Sequence, residues 1–129
     1  MNIRSSFVLA ASLVSLLCAC RTGYPVQNID AAPIASSKAI SSNEVQKAIL
    51  RAGAALGWVM KPVEPGLIVA TLNLRKHTAV VDIKFNDKTY AIHYKDSTNL
   101  DYKDGAIHKN YNGWIENLDN GIKTQLNQL

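Results

Sequence analysis

His77, Asp96, Ser97 and His108 are the residue types from which a hydrolase is built. A serine hydroxyl needs an imidazole to take its proton, and the imidazole needs a carboxylate to orient it. If Tyr94 pairs with Ala79 across a hairpin, Asp96 lies beside the Lys76-His77 turn. His77, Asp96, Ser97 and His108 then share one end of a sheet, with Asn99 next to them. Two features stand against catalysis. The chain has no Gly-x-Ser-x-Gly elbow, and it is short for a deep cleft that excludes water. The other reading is turn chemistry, in which Asp, Ser and Asn bond nearby backbone and end strands or start helices. His77, His93 and His108 lack the spacing of metal ligands, and His93 falls on the wet face of its strand, so neither a metal nor a cofactor is expected. Asn110, Asn112 and Asn117 read as solvated helix positions or as a polar contact surface.

The elements that must position these residues follow from hydrophobic period. Ser41 and Glu44 form a Ser-x-x-Glu capping box. Val45, Ala48, Ile49, Ala52, Ala55 and Leu56 then recur at helical spacing, and Gly57 stops the helix. Four strands are expected next, at Trp58 to Val63, Leu67 to Arg75, Thr78 to Phe85 and Lys88 to Tyr94. Apolar residues alternate along them, the pattern of an antiparallel sheet covered on one side. A two-residue loop Lys76-His77 pairs Leu74 with Ala79 and Leu72 with Val81. A two-residue loop Asn86-Asp87 pairs Phe85 with Lys88 and Ile83 with Tyr90. In the first hairpin, a loop of Glu64, Pro65 and Gly66 turns Trp58 and Met60 inward, whereas a two-residue loop inverts them. Ile107, Tyr111, Trp114, Ile115, Leu118, Ile122 and Leu126 make the stripe of a second helix. Gly113 and Gly121 weaken that helix, or mark a close contact or a break. The expected fold is α+β: a helix, a four-stranded antiparallel meander and a helix, with both helices on one face of the sheet.

The N-terminus carries a different kind of information. Arg4 precedes an apolar run from Phe7 to Leu17, broken only by Ser12 and Ser15, and Ala19 is a small residue before a cleavage point. This is the form of a secretory signal. The run of about eleven residues falls short of the roughly 20 needed to span a bilayer. The segment Leu17-Cys18-Ala19-Cys20 resembles the lipobox of bacterial lipoproteins, with Cys18 an unusual residue at its position. The resemblance implies that the Cys20 sulfur receives a diacylglycerol, that the signal 1–19 is cut away, and that the new amine is acylated. Arg21, in place of Asp, resembles the sorting pattern of outer-membrane lipoproteins facing the periplasm. An ordinary secretory signal with a free Cys is the alternative.

The chain has two cysteines, Cys18 and Cys20. One leaves with the signal and one carries lipid, so the exported domain must fold without a disulfide. Residues 20–42 read as a lipidated flexible tether with Pro25, Pro33 and no apolar period. Extended at ~3.3 Å per residue, it would hold the domain tens of ångströms off the membrane. Residues 43–129 are the small domain. The net charge of +4 includes Arg4, and the remaining Lys and Arg are scattered. That distribution suits solubility near a membrane and gives no stripe for nucleic acid.

Tyr94-Lys95-Asp96-Ser97-Thr98-Asn99-Leu100 and Tyr111-Asn112-Gly113-Trp114-Ile115-Glu116-Asn117-Leu118 are the most unusual wording in the chain. There it resembles a family of small, uncharacterised bacterial lipoproteins with an Asp-Ser-x-Asn-Leu turn and a Tyr-Asn-x-Trp-Ile-x-Asn-Leu helix. That resemblance implies no activity. The leading expectation is a non-enzymatic envelope module, held to the bilayer through acylated Cys20, that contacts another envelope protein or peptidoglycan. The runner-up is a small-ligand binder or weak hydrolase using His77, Asp96, Ser97, Asn99 and His108. A purely structural lipoprotein is the third. An edge strand leaves dimerisation open.

Overall fold

The computed structural model describes residues 23–129. Its elements in order are β1 (Tyr24–Pro25), β2 (Ile29–Pro33), α1 (Ser42–Ala55), β3 (Trp58–Glu64), β4 (Leu67–Leu74), β5 (His77–Phe85), β6 (Thr89–Thr98), β7 (Ala106–Ile107) and α2 (Lys109–Leu126). The fold is α+β, with two helices and an antiparallel sheet. The expected signal 1–19 and Cys20 lie outside the described residues.

The capping box forms as the sequence implies. The Ser41 hydroxyl accepts from the Glu44 N–H, and a Glu44 carboxylate oxygen accepts from the Ser41 N–H at 2.9 Å. The Ser41 N–H, and the Ser41 hydroxyl at 3.2 Å, donate to the ionised carboxylate and hold Glu44 below the usual carboxylate range. Past the helix, Gly57 takes φ +86°, a conformation that costs a glycine little.

The four-strand expectation is one strand short. The sheet has five strands in the order β2-β6-β5-β4-β3, and β1 pairs with β7 in a separate two-stranded ribbon. Segment 20–42 is therefore not a tether throughout, and the folded domain begins near Tyr24 rather than Asn43. Ile29 pairs with Ile92 and Pro33 with Thr89, which places β2 on the outer edge of β6. Pro33 is tolerated there because an edge strand can spare a ladder donor. The strand leaves no period in the sequence because edge position and a bulge between Ile29 and Ala32 erase the alternation, leaving Ala32 buried between exposed neighbours.

Two hairpin registers differ from expectation by two residues. Leu72 pairs with Ala79 and Ala70 with Val81, around an Arg75-Lys76 turn with Arg75 at φ +57°. Phe85 pairs with Tyr90 and Ile83 with Ile92. The Asn86 side chain closes that turn by accepting from the Lys88 and Thr89 N–H groups at 2.7 and 2.8 Å. A two-residue shift preserves the face of every side chain, so hydrophobic pattern cannot distinguish the alternatives. In the first hairpin, Glu64 pairs with Leu67 around Pro65-Gly66, and a bulge between Pro62 and Glu64 restores the parity that buries Trp58.

Ile68, Ala70, Leu72, Ala79, Val81, Ile83, Tyr90 and Ile92 line the buried sheet face. The stripes of both helices join the same core through Val45, Ile49, Ala52, Tyr111, Ile115, Leu118 and Ile122. The helices approach closely at Gly121, where an added Cβ would stand 3.2 Å from Leu56 Cδ1 and 3.7 Å from Ala52 Cβ. That glycine marks a contact between helices, while a Cβ at Gly113 meets nothing within 4 Å. Among the described residues one charged group enters the core. Asp119 accepts a hydrogen bond from the buried Tyr90 hydroxyl and is paired with Lys123 Nζ at 2.7 Å, one helical turn on. Among the described residues no helix is long and apolar enough to cross a membrane.

Candidate functional site

His77, Asn99 and His108 meet at the end of the sheet where the Arg75-Lys76 turn lies. Asn99 acts as a clasp. Its backbone adopts φ +56°, which Asn tolerates better than most residues. Its side-chain amide donates to the Lys76 carbonyl at 2.8 Å. Its own carbonyl lies 2.7 Å from His77 Nδ1. A carbonyl only accepts, so this bond requires the proton on Nδ1 and leaves Nε2 as the free nitrogen of a neutral ring.

His108 has the opposite tautomer for an equally local reason. It is the N-cap of α2, and its Nδ1 accepts from the Asn110 N–H at 3.2 Å. Its backbone N–H donates to the Leu100 carbonyl at 2.9 Å, which ties β7 to the end of β6. The two imidazoles are stacked with centroids 6.5 Å apart, and Trp114 lies 6.4 Å from the His77 ring.

Asp96 and Ser97 do not join them as expected. Tyr94 pairs with Val81, but Asp96 pairs with Val80 and Ser97 with Ala79, so a bulge inserts Lys95 into β6. The extra residue reverses the parity of the strand beyond it. Ser97 falls on the core side opposite Ala79, and its hydroxyl lies 2.8 Å from the Tyr94 hydroxyl. Asp96 falls on the open face opposite Val80 and accepts from the Ser97 N–H at 2.8 Å. The carboxylate that would orient an imidazole is thus turned away from both. These residues form no catalytic triad, and their bonds match turn and cap chemistry.

His93 also lies on the open face. It pairs with Asp82 in register, and its Nε2 is 2.9 Å from Asp30 Oδ1. It is separated from His77 and His108 by the thickness of the sheet. Among the described residues no group of three His, Cys, Asp or Glu is placed to hold a metal ion.

An aromatic cluster beside the site was not visible as such in the sequence. Tyr94 stacks on Tyr102 with centroids 4.2 Å apart and meets Tyr111 edge-on at 5.7 Å. Burial pushes the Tyr94 and Tyr111 phenols upward from their ordinary range. The upward shift keeps both phenols protonated and makes them weaker acids, as expected of rings packed in the core. Tyr94 lies eight residues before Tyr102 and Tyr111 nine after it, so only the fold brings the rings together. Asp119, by contrast, carries a signal in the sequence, since it stands four residues after Ile115 on the apolar side of α2.

Two concavities lie at the other end of the sheet, around Pro65-Gly66. One, of about 460 Å³, is lined by Ser42, Gln46, Glu64 and Phe85 among others. Its neighbour, of about 450 Å³, is lined by Asp30, Lys84, Ala91 and His93 among others. The open sheet face between the two ends carries Val59, Val69, Thr71 and Val80 in adjoining register, flanked by the Lys95–Asp82 pair at 3.3 Å. No family model, no curated protein and no solved structure matches this chain.

Proposed function

We propose that this chain is a lipid-anchored protein of the bacterial envelope, of the small-lipoprotein type, whose α+β domain is a non-enzymatic binding or structural module. The observation that carries the proposal is the sequence Leu17-Cys18-Ala19-Cys20 after a basic start and an apolar run too short to span a bilayer. Two or more acyl chains on Cys20 would give stable anchoring, which one chain does not. Arg21 after it favours the outer membrane, with the domain in the periplasm. Support for a non-enzymatic role comes from the Lys95 bulge, which turns Asp96 to the face opposite His77.

The open sheet face suits a protein partner better than peptidoglycan. Sugar rings pack on aromatic platforms, and this face offers Val59, Val69, Val80 and Thr71 instead. Radiolabelled palmitate should enter the wild-type protein and not Cys20→Ser; equal labelling of both would end the anchor argument. A photo-crosslinking residue at Val59 should give a discrete protein adduct in cells, and one at Ala54 on α1 should not. Co-sedimentation of the protein with purified peptidoglycan, undisturbed by Val59→Asp, would overturn the choice of partner.

A further inference from the structure

We infer that the end of the domain formed by β1, β7 and the β4–β5 turn rests on the bilayer that holds Cys20. The inference depends on the lipid-anchor proposal for its starting point and on the fold for everything else. Only Arg21, Thr22 and Gly23 separate Cys20 from β1. Four residue steps span at most about 14 Å. A headgroup layer is roughly 5–8 Å thick, taking the difference between the full bilayer and its hydrocarbon core and halving it. The domain therefore cannot stand clear of the membrane as a 22-residue tether would have allowed.

The entry point has no slack to release. Tyr24 pairs with Ile107 and Pro25 with Ala106. Val26 N–H donates to the Gly105 carbonyl at 2.8 Å. The Asn112 amide then clamps the chain from both sides, donating to the Pro25 carbonyl at 2.9 Å and accepting from the Gln27 N–H at 2.9 Å. Gly23 is already packed, since a Cβ there would stand 3.3 Å from the Ile107 carbonyl oxygen.

The surface around that entry point has interfacial chemistry. Tyr24 is 56% exposed, Tyr102 46% and Leu74 45%. Leu74 pairs with His77 at the Arg75-Lys76 turn, which the Asn99 clasp and the Leu100–His108 bond connect to β7. Tyrosine places its ring and hydroxyl at the headgroup level, and Arg75 and Lys76 can lay apolar stems there with their charges in water. The adjoining loop carries Asp101, Lys103 and Asp104, which leaves Arg75, Lys76 and Lys103 against two carboxylates, an excess of about one positive charge. Contact should therefore rest on apolar and aromatic insertion and depend little on anionic lipid. The two clefts near Pro65-Gly66 would then face away from the membrane.

The test uses the acylated full-length protein in vesicles containing a nitroxide lipid labelled near the headgroup. In a Trp58→Phe background, Trp114 reports on the inferred contact end, because its ring lies beside His77. A Trp58→Phe/Trp114→Phe/Val63→Trp variant reports on the far end, about 25 Å away along eight residues of β4. Trp114 should be quenched several-fold more than the tryptophan introduced at Val63, in zwitterionic and anionic vesicles alike. Equal quenching, or stronger quenching at Val63, overturns the inference. Mass measurement of the N-terminus checks acylation separately. If Cys20 proves unmodified in cells, the anchor proposal fails. The same comparison on a chain coupled at Cys20 to a maleimide phospholipid still decides the orientation.

Discussion

Tyr90 and Tyr111 are both buried phenols on the same core, and the same substitution should move them in opposite directions. The Tyr90 hydroxyl donates to Asp119, and the Tyr111 hydroxyl has no hydrogen-bond partner among the described residues. A hydrogen bond to a charged group contributes about 1.5–3 kcal/mol. Tyr90→Phe removes such a bond and leaves the buried Asp119 carboxylate to Lys123 alone, so a loss of about 2 kcal/mol is expected. Tyr111→Phe removes a desolvated hydroxyl that returns nothing, less a small loss of packing. Its effect should lie between zero and about 1 kcal/mol of added stability. The two variants should differ by roughly 2–3 kcal/mol, or about 10–20 °C in Tm for a domain of this size. Urea and thermal unfolding of the chain from Arg21 onward, followed by the fluorescence of buried Trp58 and by circular dichroism, would measure this. Midpoints within about 3 °C of each other would refute the hydrogen-bond assignment. A Tyr111→Phe variant less stable by more than about 1 kcal/mol would show that its hydroxyl is paired in solution.

The remaining predictions use the same core. Burial, joined for Tyr90 by the hydrogen bond to Asp119, raises the pKa of Tyr90 and Tyr111, so the neutral phenol is favoured in the folded state. Above pH ~10 the unfolded chain releases protons that the folded chain keeps, and stability falls by about 1.4 kcal/mol per pH unit for each tyrosine. Tyr111→Phe should remove about half of that shared slope in a pH series of unfolding curves, and an unchanged slope would contradict the burial argument. Glu44 is shifted downward, so its share of the capping box is present at neutral pH and lost as pH falls below the ordinary carboxylate range; Glu44→Gln should flatten the acid limb of the same series. Gly113→Ala should add about 0.5–1 kcal/mol, because a helical glycine with open space around it carries only an entropic cost. Gly53→Ala should gain less or lose stability, because its Cβ collides with the Met60 side chain; equal gains at the two sites in chemical denaturation would refute the close packing of α1 on β3.

Local rules account for much of the fold. Ser41 and Glu44 specify the start of α1 because a capping box closes within four residues. The apolar stripe Tyr111, Ile115, Leu118, Ile122 and Leu126 specifies the buried side of α2, because period alone decides it. The same reasoning separates wet from buried faces on β3 to β6. It fails wherever parity changes by one residue. The Lys95 bulge exchanges the faces of Asp96 and Ser97, and so turns to the open side the carboxylate that even alternation would have left on the face of His77. The bulge before Glu64 reverses the first hairpin in the opposite sense.

The sequence by itself determined the pattern, two helical stripes and a sheet with one apolar face, and it carries the Leu17-Cys18-Ala19-Cys20 segment on which the proposed anchor rests. These depend on contiguous residues whose order carries the physical cause. Tertiary structure decided which residues meet. It placed Tyr24 against Ile107 and Ile29 against Ile92, so the expected tether became an edge strand and a clamp. It brought His77, Asn99 and His108 together and turned Asp96 to the other face. Such pairings are held by backbone bonds between segments distant in sequence. Short strands at an edge have too few side chains on the core to leave a period behind, so only the folded backbone reveals them.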